Sequence, residues 1–233
     1  MSDVPDQPTR QGLDHRRLYE YRHRRVYRDD RVAVWNEIAP YVYDVMGRPQ
    51  RVLDPAAGWG EFINAVPAPE RWMVDAVEFP EHHRDPMVKT IFADIRDVEL
   101  PAEYFEGIFV SNFLEHLASP DAIADFLVQM RATIAPGGRI VVMGPNFKYA
   151  WKQYFDFADH RLALTHVTVM EHLAATGFEI ERVSARFLPY SFTGRLPARP
   201  EFTRLYLKVP LAWHVLGKQF LVIGRAPGDP SAS

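Results

Sequence analysis

The passage from Arg51-Val52-Leu53-Asp54 into Pro55-Ala56-Ala57-Gly58-Trp59-Gly60 restricts this chain more than any other stretch. A short apolar run with β-branched character leads into small residues, and a helical pattern begins at Glu61. Such a strand-to-helix turn brings backbone amides and a helix N-terminus close to a ligand. A turn without a ligand has the same look, so its meaning depends on the residues at the ends of the neighbouring strands. Further strands are expected over 73–78, 90–93, 108–111, 139–143, 178–187 and 218–225. Between them, Val34, Trp35, Ile38, Tyr41, Val42, Val45 and Met46 fall at helical spacing behind candidate caps Asp29 and Asp30. Ser119-Pro120-Asp121 opens a second helix, and Thr168-x-x-Glu171 is a capping box for a third that closes at Gly177. Strands alternating with helices predict one α/β domain over residues 13–226, with an open, mostly parallel sheet and helices on both faces. Residues 1–12 and 227–233 are expected to be tails, 13–47 an N-terminal helical arm, and 189–216 an insertion between the last two strands.

Three strand ends carry chemistry. The small positions Ala56, Gly58 and Gly60 alternate, unlike a dinucleotide-binding G-x-G-x-x-G, and Asp54 precedes them. Glu78 closes the second expected strand, where a carboxylate can accept from both hydroxyls of a ribose. Asp94 comes after the third, placed to accept from a purine amine while Ile95 packs on the ring. These residues are expected to converge on one nucleoside.

Val52-Leu53-Asp54 through Gly60, Glu78, Ala93-Asp94-Ile95, Ser111-Asn112-Phe113-Leu114-Glu115-His116-Leu117 and Ala135-Pro136-Gly137-Gly138 together resemble a class I S-adenosylmethionine-dependent methyltransferase. The resemblance covers most of the chain. More narrowly, residues 146–165, Arg186-Phe187-Leu188-Pro189-Tyr190 and Gly217-Lys218-Gln219-Phe220 resemble a bacterial subgroup associated with polysaccharide or natural-product sugar pathways. The resemblance implies a Rossmann-like, seven-stranded sheet whose last strand runs antiparallel. It also implies S-adenosylmethionine held by Asp54, Ala56, Gly58, Gly60, Glu78, Phe79, Asp94, Ile95, Ser111 and Asn112. Arg22 of the arm is the choice for the cofactor carboxylate. Ala56 stands where the family has its first glycine, and its Cβ demands a negative φ.

Methyl transfer to a hydroxyl needs alignment and a place for the proton. His160, in the stretch after the fifth strand, is the expected catalytic base, with Asp159 or Asp156 fixing its tautomer. A loop-tethering role for the same residues is the plain alternative, and Glu115-His116 reads as scaffold or cofactor lining. Glu81, His82, His83, Asp85, Asp156, Asp159, His160 and His166 include possible metal ligands, but their spacing is not diagnostic, and no metal is assigned.

The absence of cysteine removes disulfides, thiolate metal sites and a cysteine nucleophile, and the net charge of -3 gives no global attraction to nucleic acid. Arg10, Arg16, Arg17, Arg22, Arg24, Arg25, Arg28 and Arg31 nevertheless crowd the arm, with Tyr19, Tyr21 and Tyr27 among them. A solvated helix face, a lid and a phosphate-binding stretch are all open readings of it. In the insertion, Phe202, Leu205, Tyr206 and Val209 form a stripe expected to be buried against the active-site edge, the domain or a second chain in a homodimer; peripheral membrane contact ranks last. No apolar run approaches the ~20 residues of a membrane span, and the first residues lack the apolar core of a signal peptide, so a cytoplasmic protein is expected. The leading expectation is methyl transfer to a small-molecule partner, favouring a hydroxyl of a sugar or sugar-containing metabolite. The alternatives are a methyltransferase of a macromolecule and a non-catalytic cofactor-binding protein, each using the basic arm.

Overall fold

The structure is a computed structural model that describes residues 14–23, 28–78, 84–190 and 199–228. The expected tail 1–12, most of the tail 227–233, part of the insertion, Phe79, Glu81, His82, His83, Arg10, Arg24, Arg25 and Tyr27 lie outside the described residues.

In chain order, helices α1 (His15–His23) and α2 (Arg28–Val45) lead to strand β1 (Arg51–Asp54), then α3 (Glu61–Ala65), β2 (Glu70–Asp75), β3 (Val88–Phe92) and β4 (Phe105–Ser111). Then come α4 (Pro120–Thr133), β5 (Ile134–Pro145), α5 (Phe147–Ala150), α6 (His166–Ala175) and β6 (Glu179–Ser184). Helices α7 (Pro200–Leu207) and α8 (Pro210–Leu216) precede β7 (Gln219–Arg225). The strands form one sheet in the order β3-β2-β1-β4-β5-β7-β6. β7 is antiparallel to both of its neighbours, and the other pairings are parallel. The seven-stranded Rossmann-like architecture with an antiparallel last strand is therefore present.

Every parallel strand points its C-terminal end to the same edge, so the turns after β1 to β5 gather there. Two apolar layers hold the sheet. On one face Val34, Trp35, Ile38 and Val42 of α2 pack with Phe62 of α3, Phe109 of β4 and Trp213 of α8. On the other, Ile123, Phe126 and Leu127 of α4 join Val169 and Leu173 of α6 over Leu53, Ile108 and Val110. Trp35, Phe62 and Phe109 meet edge-on or tilted, with Phe62 and Phe109 centroids 4.1 Å apart.

The structure revises several local expectations. Asp29 and Asp30 lie inside the first turn of α2, where their charge meets the positive helix end, and so do not cap it. The capping box of α6 sits one turn earlier than expected: the hydroxyl of Thr165 accepts from the Thr168 N–H, and the Thr168 hydroxyl accepts from the Thr165 N–H. β2 ends at Asp75, short of Glu78. The stripe in the insertion does not pack as a unit, because Phe202, Leu205 and Val209 are exposed, together with Leu211, Val215 and Leu216. The face of α7 and α8 that packs carries Leu207 and Trp213, with Tyr206 beside them donating its hydroxyl hydrogen to the Phe187 carbonyl.

Candidate functional site

Asp54 ends β1 only 3% exposed. Immediately beyond it the chain turns through left-handed positions at Gly58 (φ 56°) and Gly60 (φ 76°), while Ala56 keeps a negative φ, as its Cβ requires. A Cβ on Gly60 would come within 3.2 Å of the Asn64 side-chain nitrogen. The brace of this turn is Asp75, a residue that no motif in the sequence marks. Asp75 accepts the Gly58 N–H at 2.7 Å through one carboxylate oxygen and the Val77 N–H at 2.8 Å through the other. Glu78, in contrast, is exposed beyond the strand end, with Arg84 3.9 Å away. Burial, then the charges of Asp75 and Glu61, push the Asp54 carboxyl well above its ordinary range against the Ala56 N–H that favours its ionised form. One of its oxygens, Oδ1, has no hydrogen-bond partner. Glu61 pairs with Arg31 at 2.6 Å, both nearly buried, and the guanidinium lies 5.0 Å above Trp59. No pattern in the sequence links Arg31 to Glu61, since the two sit on different helices.

Asp94 caps a short 3-10 turn and accepts both the Arg96 backbone N–H at 3.0 Å and its Nε–H at 2.9 Å. These bonds from Arg96 hold its pKa below the usual carboxylate range. Ile95 does not present its side chain as a ring-packing face; it is buried in the core with Leu53 and Val74. Ser111 ends β4, and Asn112, at φ 49°, donates from its side-chain amide to the Ser111 hydroxyl at 2.9 Å. Asp54, Asp94 and Ser111 thus stand at or just beyond the C-terminal ends of β1, β3 and β4, on one edge of the sheet.

The loop after β5 closes onto the turn after β4. The N–H groups of Arg161 and Leu162 donate to the Glu115 carbonyl at 2.8 and 3.2 Å. Tyr154, fully buried, donates to the Leu162 carbonyl and accepts from the Leu164 N–H. This brings His160 against His116, Tyr154 and Phe157, with ring centroids 4.9–5.0 Å apart. Burial, then the neighbouring His116, lowers the His160 pKa to about 4, so its ring is neutral near pH 7.

The tautomer assignment expected for Asp159 and Asp156 is corrected here. The buried Nδ1 of His160 has no hydrogen-bond partner, so neither carboxylate holds it. Asp156 is exposed. Asp159 instead pairs with Arg22 and faces His116, whose Nδ1 is 3.0 Å from the Asp159 carbonyl oxygen. Burial raises Asp159, but His116 and Arg22 outweigh it and leave its pKa lowered. Arg22 is therefore bound to the loop, with its guanidinium also 4.8 Å above the Phe157 ring. Glu115, 2% exposed, is raised by burial, and its Oε1 lacks a partner. Tyr190 has a buried hydroxyl that is likewise unpartnered. Among the described residues, the possible metal ligands do not assemble around His166, whose Nδ1 lies 2.9 Å from the Asn146 side-chain nitrogen. Elsewhere on the arm, Arg16 pairs with Glu20 and Arg17 with Asp14 in exposed local bridges.

No protein-family model matches the chain, and no curated protein matches it by sequence. Solved structures do match. A S-adenosylmethionine-dependent methyltransferase from Archaeoglobus fulgidus is similar over 91% of this chain and 100% of its own, with a TM-score of 0.63 at 20% identity. The chain has the Rossmann-like methyltransferase fold. A Burkholderia thailandensis 1,6-didemethyltoxoflavin-N1-methyltransferase, solved with its substrate and S-adenosylhomocysteine, is similar over 95% of this chain and 93% of its own (TM-score 0.56, 19% identity). The [4+2]-cyclase SpnF is similar over 83% and 81% of the two chains, with a TM-score of 0.58 at 16% identity. At such identities the likeness concerns the fold, which hosts more than one chemistry. Among the described residues no helix is long and apolar enough to cross a membrane.

Proposed function

We propose that this protein transfers the methyl group of S-adenosylmethionine to a hydroxyl of a small molecule, a sugar or sugar-containing metabolite being the favoured acceptor. The observation that carries this reading is the partnerless buried oxygen of Asp54 beside the left-handed Gly58 and Gly60 turn. A buried carboxylate short of donors, with two more carboxylates nearby, suits a ligand that brings an ammonium or sulfonium charge. The turn lets backbone approach that ligand closely, and exposed Glu78 is available to ribose hydroxyls. Asp94 would meet a purine amine only by sharing the carboxylate that Arg96 holds. When bound, the cofactor supplies an electrophilic methyl group.

The acceptor side is assigned to the loop after β5. Trp151 and Phe155 stand exposed there, apolar faces on which the C–H face of a sugar ring can pack. The Nδ1 of His160 is buried without a hydrogen-bond partner, so this nitrogen is left for an acceptor proton once the acceptor enters the loop.

Calorimetry with S-adenosylmethionine tests the first half. Glu78→Ala should weaken binding by about 1–3 kcal/mol, the loss expected when ribose hydroxyls lose a charged acceptor. Release of S-adenosylhomocysteine over a panel of hydroxylated acceptors tests the second. His160→Ala should lower turnover by about 10²–10⁴-fold with cofactor affinity nearly constant. No cofactor binding at all would end the reading.

A further inference from the structure

We propose that Glu115, His116 and His160 form a binding site for a divalent transition-metal cation on the acceptor side of the cleft. Its catalytic meaning rests on the methyl-transfer reading while its existence does not, and a bound cation makes His160 a ligand in place of the general base assigned to its Nδ1. The ligand atoms these three residues offer lie within 4.8 Å of one another. His116 Nδ1 faces the Asp159 carbonyl at 3.0 Å, so it carries the proton and donates it, leaving Nε2 bare at 4.0 Å from Glu115 Oε1. The Nδ1 of His160 is buried without a hydrogen-bond partner. Glu115 Oε1 is buried without one as well, in a side chain only 2% exposed.

An unpartnered carboxylate oxygen and two imidazole nitrogens from two different loops therefore converge. A buried carboxylate oxygen left in this state is costly, and a cation removes the cost. The His116 imidazole is also fixed by the Asp159 carbonyl on the nitrogen turned away from Glu115, the arrangement that orients histidine ligands around a metal. Two imidazoles and one carboxylate favour zinc and its first-row neighbours over magnesium or calcium, which take oxygen shells. Metal bonds of about 2.0–2.2 Å set the donors roughly 3.3 Å apart in a tetrahedral shell, so the side chains close by on the order of 1 Å. Three protein ligands leave a position for water or for an acceptor oxygen. Tyr190, with its own unpartnered hydroxyl, is near enough to feel the Glu115 charge. No ligand spacing in the sequence announces this group, because it joins the turn after β4 to the loop after β5 and its members are far apart along the chain.

The test uses the full chain, stripped with a chelator and titrated with Co²⁺ and Zn²⁺. One equivalent is expected to bind with micromolar or tighter Kd, with the visible absorption of four-coordinate Co²⁺. Glu115→Gln and His160→Ala should each weaken binding by at least about 10-fold. Their S-adenosylmethionine affinity, measured without metal, reports whether they fold, and His116→Gln, at a partly exposed ligand, repeats the test if Glu115→Gln does not. Binding weaker than millimolar, or binding that none of these substitutions alters, overturns the site. Metal binding without cofactor binding upholds the site and removes the methyl-transfer reading; cofactor binding without metal does the reverse.

Discussion

At the scale of single residues, Asp54 carries a liability that a ligand can relieve. Its folded pKa stands above the unfolded one, so it contributes stability only while protonated, and that contribution is lost as pH rises from the ordinary aspartate range through the raised value. Asp54→Asn should therefore raise the Tm of the free protein near neutral pH and raise it less in acid, while weakening S-adenosylmethionine binding by about 1–3 kcal/mol. A positively charged amino group arriving beside Asp54 lowers its pKa again, so binding should release protons. Calorimetry in buffers of different ionisation enthalpy reads that release directly, and a binding heat independent of buffer would show that Asp54 keeps its protonation state. Asp54, Gly58 and Gly60 are legible in the sequence because adjacency in a strand-turn-helix is itself the signal. Asp75 is not, since a carboxylate that braces a turn from the neighbouring strand looks like any strand residue until the pairing of Asp54 with Met73 is known. Glu115 is visible as part of a motif but not as an orphaned buried oxygen, which only packing creates.

Among the elements, α1 is tied to the loop after β5 through Arg22. Arg22 and Asp159 are both mostly buried, and the remainder of the helix's charged pairs are exposed and worth little. Arg22→Met should cost about 1–3 kcal/mol locally and speed amide hydrogen exchange in α1 and in the loop around Asp159, with cofactor affinity almost unchanged. A large fall in cofactor affinity would return Arg22 to the cofactor carboxylate. Helix α8 meets the sheet with less tolerance. A Cβ on Gly217 would lie 2.6 Å from the Trp213 carbonyl oxygen and 2.9 Å from the Phe187 nitrogen, all backbone, so Gly217→Ala should lower stability by about 1–3 kcal/mol in urea unfolding. Element types and order are readable from periodicity, while the buried side of α7 is not. A helical period reveals a stripe and says nothing about which stripe the neighbours need, and here Leu207 and Tyr206 win over Phe202 and Leu205.

For the whole molecule, the sheet does the positioning, and its two apolar layers hold it in place. Phe109, buried between Trp35 and Phe62, should cost about 3–5 kcal/mol when cut to alanine, with loss of secondary structure in step with loss of cofactor binding in a denaturant titration. The order of strands has another consequence, for the life of the chain before it is finished. β7, the last of these seven strands to leave the ribosome, sits inside the sheet between β5 and β6. Until residues 219–225 emerge, β6 has no partner to lie against, β5 shows a bare edge, and the apolar residues Leu221, Val222 and Ile223 that complete both layers are missing. The sheet is therefore completed by a keystone, and a nascent chain stalled just short of it would offer chaperones an open sheet edge in place of a folded protein.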